Sequence, residues 1–105
     1  MSIEAESKFI ISKPGPRPPY YKVADYLWGE GANIDSDGNS TNPEDTDWTE
    51  LSICFRDEDT PYVHVDPISE NPLILEVRSI SYELAKKTAE YIACKTGGVL
   101  KNASA

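Results

Sequence analysis

Between Leu51 and Val77 apolar and polar residues alternate in three short runs, and this pattern narrows the fold more than any other feature. Leu51, Ile53 and Phe55 form the first inward set, Val63 and Val65 the second, and Leu73, Leu75 and Val77 the third. Successive side chains of a strand point to opposite faces, so each run reads as a half-buried strand. Ile74, Glu76 and Arg78 then take the opposite, wetter face. Asp57-Glu58-Asp59-Thr60 reads as the first turn and Pro67 to Pro72 as the second connection. Short links between consecutive strands predict an antiparallel meander with one packed face.

The period changes after Ser79. Leu84, Ala85, Thr88, Tyr91 and Ile92 fall on one helical arc, with Glu83, Lys86, Lys87 and Glu90 opposite. Ser79 or Ser81 can cap the start, Lys95 suits the negative end of the helix dipole, and Gly97 supplies a left-handed stop. The fold class expected is α+β: a meander of three to five strands against one C-terminal helix, about residues 80–96. The helix stripe needs an apolar partner, and the meander offers the only large one.

The flanks are less regular. Residues 8–12 read as a short strand with Phe9 and Ile11 on one face. Four prolines between Pro14 and Pro19 exclude helix or central strand, so 13–19 is expected to be a stiff connector. Tyr20 to Trp28 leans toward a short helix. Residues 29–47, rich in Gly, Asn, Asp and Ser, read as one long acidic surface loop. Val99 and Leu100 can add a last strand, with a frayed tail from Asn102.

At 105 residues the chain suits a single domain. No apolar run approaches the roughly 18 residues of a membrane span. The N-terminus has no basic start followed by an apolar stretch, so a cytoplasmic setting is expected, with Cys54 and Cys94 as free thiols. The formal charge is −8. It is unevenly spread: from Asp25 to Asp66 twelve acids meet a single cation, Arg56, a net of −11. Such a field disfavours direct nucleic-acid binding and favours a positively charged partner.

Four constellations compete for a role. Asp35, Asp37, Glu44, Asp45, Asp47, Trp48, Asp57, Glu58 and Asp59 form a candidate docking set, acidic with aromatic support from Trp48. Tyr20, Tyr21, Tyr26, Trp28 and Tyr62 flank it, either as part of that face or as packing for the loops. Asn33, Asp35, Asp37 and Glu44, with Gly38, match the spacing of an EF-hand calcium loop, but Asn33 replaces the first aspartate and flanking helices are lacking. Cys54, His64 and Asp66 share one strand face, a possible nucleophile, base and carboxylate, yet on a sheet that offers no pocket. The clustered turn carboxylates are too solvated for acid–base work. The expectation is a non-enzymatic, cofactor-free binding protein, immunity- or antitoxin-like, that docks a basic protein such as a toxin or a nucleic-acid-binding enzyme. A calcium-stabilised module and a regulatory domain without catalysis are the alternatives.

Overall fold

The computed structural model describes residues 6–58 and 60–103. Six strands form one sheet: β1 (Ser7–Ser12), β2 (Ile34–Gly38), β3 (Leu51–Phe55), β4 (Val63–Glu70), β5 (Leu73–Ser79) and β6 (Val99–Asn102). Two helices accompany them, α1 (Tyr20–Trp28) and α2 (Tyr82–Thr96), with a single 3-10 turn at Arg56–Glu58. The order across the sheet is β2-β3-β4-β5-β1-β6 and every pairing is antiparallel. The class is therefore α+β, with a meander packed on a C-terminal helix.

The alternation holds at six of its eight inward positions, while Phe55, stacked on Trp28, and Leu73 are only half-buried. Leu51, Ile53, Val63, Val65, Leu75 and Val77 are buried, joined by Phe9 and Ile11 of β1. Against this face α2 lays Ala85, Thr88, Ala89 and Ile92. The Ser81 hydroxyl accepts from the Leu84 amide, and Gly97 ends the helix at φ 72°, a conformation that costs glycine little. Both helices cover one side of the sheet: α1 packs against β3 and α2, through the stacked rings of Tyr26 and Tyr91, 4.6 Å apart. The other side is left to water, as an antiparallel sheet permits.

Four local expectations need correction. The stretch 29–47 is not all loop, because Ile34–Gly38 forms β2. One isoleucine among acids carries no periodic signal; β3's open edge recruits the segment by backbone pairing. Gly38 is needed there, since a Cβ would run into the Glu50 carbonyl and the Leu51 backbone. The Pro67–Pro72 link also shrinks. β4 runs through to Glu70, with a bulge between Pro67 and Ser69, so only Asn71 and Pro72 turn the chain. Pairing with β3 stops at Val65, which makes β4 an edge at Pro67, where proline is tolerated. Third, the tail is anchored further than expected: Asn102 lies in β6 and the Ala103 amide donates to the Lys8 carbonyl, 2.8 Å.

The fourth correction concerns 13–19, which is more than a surface connector. Arg17 is buried; its Nε donates to the Trp48 carbonyl (2.8 Å) and its Nη1 to the Gly15 carbonyl (3.0 Å). Its amide donates to the Thr46 carbonyl, and Trp48 Nε1 returns a bond to the Pro18 carbonyl, 2.8 Å. Proline-rich backbone has few donors but intact carbonyls, so it needs donors from elsewhere. Burial pulls the Arg17 guanidinium below its ordinary pKa, and nearby Asp47 opposes this.

Candidate functional site

The sheet order decides where the charge goes. Residues 34–55, the centre of the acidic stretch, build β2 and β3 at one edge. The chain ends, carrying Lys8 and Lys101, build β1 and β6 at the other. Glu30, Glu44, Asp45, Asp47, Glu50, Asp57 and Glu58 lie in the segments at the ends of β2 and β3, whereas Asp25 is on α1 and Asp66 on β4. Asn33 Nδ2 donates to Asp57 Oδ1 (3.3 Å), tying the turn after β3 to the start of β2. After Gly38, the Tyr21 hydroxyl donates to Glu44 Oε1 (2.7 Å), tying the other acidic loop to α1. This bond raises the Tyr21 pKa.

The structure divides the docking set. Asp37, Glu44, Asp57 and Glu58 are exposed and pair with no cation among the described residues. Asp47 is exposed close to Arg17. Asp45 is occupied within its own turn: Oδ2 accepts from the Thr41 amide (2.8 Å), the Thr41 hydroxyl (3.0 Å) and the Asn42 amide (3.1 Å). Those bonds, led by the Thr41 amide, hold its pKa below the ordinary range. Asp35 accepts from the Tyr62 hydroxyl (2.6 Å) and Arg56 (3.3 Å), which lower its pKa in that order. The Tyr62 pKa rises correspondingly, chiefly through Asp35 and then Cys54. Trp48 must be removed from the set. It is 1% exposed and offers a partner no surface. Asp59 lies outside the described residues.

Most of the flanking aromatics serve packing. Trp28 stacks on Phe55 (5.6 Å) and Tyr26 on Tyr91, which leaves Tyr62, 39% exposed, as the ring nearest the β2 acids on the open face. Tyr62 itself stacks on His64 at 5.9 Å. A shallow hollow on that face is lined by Asp35, Asp37, Ser52, Tyr62 and His64.

The other two constellations do not assemble. In the calcium reading Asn33, Asp35 and Asp37 should wrap an ion with Glu44. Instead residues 34–38 are extended, which sets Asp35 and Asp37 about 7 Å apart along the strand. Glu44 faces Tyr21, and no group of three metal-ligating side chains converges among the described residues. Cys54, His64 and Asp66 do lie on one sheet face, but their partners differ from those expected. His64 Nδ1 is 2.8 Å from Ser52 Oγ, its cross-strand neighbour. Asp66 accepts from Arg78 (2.9 Å), which also holds Glu6 and lies 3.7 Å from Glu76. Both cysteines are free, Cys54 buried on β3 and Cys94 exposed on α2.

No family model matches the chain, and neither the curated proteins nor the solved structures contain a match. Among the described residues no helix is long and apolar enough to cross a membrane.

Proposed function

We propose that this chain is a small acidic binding protein that docks a basic protein partner through the β2 side of its sheet. One observation carries the reading: exposed carboxylates that pair with no cation among the described residues, Asp37, Glu44, Asp57 and Glu58, belong to β2 and the loops at the ends of β2 and β3, while the lysines of β1 and β6 lie at the opposite edge and Lys22 of α1, over the Tyr21 ring, is the lysine on this side. A charge distribution of that kind orients an approaching cationic surface and accelerates its encounter. An inhibitor of a nucleic-acid-binding enzyme could work this way, with carboxylates standing where phosphates would bind. The reading assigns no catalytic step and no cofactor.

The test separates location from net charge. Reversing Asp37 and Glu58 to lysine should weaken binding of polylysine, and of any cognate basic protein, far more than reversing Glu83 and Glu90 on α2, although both pairs change the charge equally. Affinity should also fall as ionic strength rises from about 0.01 M to about 0.15 M, where the screening length shrinks from about 30 Å to about 8 Å. Equal weakening by the two pairs would reduce the effect to overall charge and end the proposal.

A further inference from the structure

The geometry points to a mode of docking for that same face: we infer that the free edge of β2 accepts an extended basic segment of the partner as a seventh strand. The inference rests on the proposed function and adds to it the form of the ligand.

The free edge is readable from two bonds. The Arg56 amide donates to the Asn33 carbonyl (2.9 Å) and the Asn39 amide to the Glu50 carbonyl (3.3 Å). In the register of β2 with β3 these are hydrogen-bonded pairs at either end of the ladder. Such pairs alternate in antiparallel sheet, so Asp35 and Asp37 also turn their backbone toward β3. Ile34, Ser36 and Gly38 therefore turn N–H and C=O toward the empty side. The Gly38 amide is already covered, since it donates to Asp37 Oδ1 at 2.9 Å. The Ser36 amide leans on the Asp35 carboxylate and helps lower its pKa. Of the three outward amides, those of Ser36 and Gly38 are thus tended by local carboxylates, and an incoming strand would take their place there.

Side chains select the occupant. Asp35 and Asp37 stand on the same, open face, paired with Cys54 and Ser52. They repeat every second residue, as do the side chains on one face of any strand laid beside them. Lysine or arginine at alternate positions would meet Asp37, which pairs with no cation among the described residues, and compete with the exposed Arg56 for Asp35. An acidic strand, including β2 of a second copy, would be repelled, and charges on an edge ordinarily serve that exclusion. Main-chain bonds would supply affinity and the aspartates the choice of partner.

The probe is a short peptide of alternating lysine and valine, compared with the same peptide N-methylated along the edge that would face β2. Two main-chain bonds at about 0.7 kcal/mol each correspond to about tenfold in affinity. The unmodified peptide should bind about tenfold more tightly and slow hydrogen exchange at Ser36. Ser36→Pro, which removes one outward donor, sets a ring against the incoming strand and leaves the β3 ladder intact, should weaken the unmodified peptide and narrow the difference between the two. The peptide comparison stands even if that variant fails to fold. Equal binding of both peptides would overturn the strand mode and leave the acidic docking face standing. Binding by neither at low salt would end both readings. Self-association of the protein alone that protects Ser36 would give the edge to a second copy and likewise overturn the inference.

Discussion

The two edges of the sheet are built from opposite materials. β2 is five residues long, carries Asp35 and Asp37, and is surrounded by exposed acids. β6 is four residues long, carries Lys101, and is followed by a hydrogen bond from the Ala103 amide back to β1. They also differ in what holds them. The β1, β5 and α2 side is joined through apolar contacts around Ile11, Leu75, Ala89 and Ile92, all buried. The β2 and β3 side has buried Leu51, Ile53 and Trp48 as well, but adds polar stitches from Arg17, Trp48 and Asn39, whose carbonyl Oδ1 accepts from the Thr49 and Glu50 amides. An apolar core tolerates any sequence of suitable volume, whereas a polar stitch needs particular partners. The acidic side should thus be the more fragile of the two.

Breaking the stitch at its centre should have the largest effect. Trp48→Ala empties the biggest buried side chain and orphans the Pro18 carbonyl, and should cost about 3–5 kcal/mol in denaturant unfolding. Arg17→Met comes next. It keeps much of the apolar volume but strips donors from two carbonyls, and should cost about 1–3 kcal/mol. In that variant hydrogen exchange should accelerate first in residues 39–47 and least in α2; uniform acceleration would refute the contrast between the sides.

The opposite side offers an opposite prediction. Thr88 is fully buried on α2 and its Oγ1 has no hydrogen-bond partner among the described residues. Valine has nearly the same shape without the hydroxyl. Thr88→Val should therefore raise stability by about 1 kcal/mol, seen as a higher melting temperature. A loss would mean that the hydroxyl has a partner.

The smallest effect concerns acid. Asp35 titrates below its ordinary 3.8 because Tyr62 and Arg56 favour the charged form. A lowered folded-state pKa adds stability that is fully present above the unfolded value and is lost as pH falls through the folded one. Asp35→Asn should therefore cost a little melting temperature at neutral pH and nothing well below pH 3.8, so the two curves converge in acid. Parallel curves would show that the Tyr62 and Arg56 contacts contribute nothing in solution.

Much of this architecture is visible in the residues themselves. Alternation placed Leu51 to Val77 in a meander, helical spacing placed Leu84 to Ile92 on one face, and Gly97 marked the end. These signals are local, because burying one face imposes a period of two or 3.6 on the chain. The acid count from Asp25 to Asp66 was equally plain. Four things were not. β2 exists because β3 has an open edge, and a short polar strand has no period of its own. Trp48 looked like part of a binding face because tryptophan suits both cores and interfaces; only the Arg17 and Pro18 contacts show that it is interior. The partners of His64 and Asp66 depend on which strands are neighbours. So does the separation of charge, which arises because β1 and β6 close the far edge of the sheet. Strand order is fixed by long-range packing, to which no stretch of sequence testifies alone.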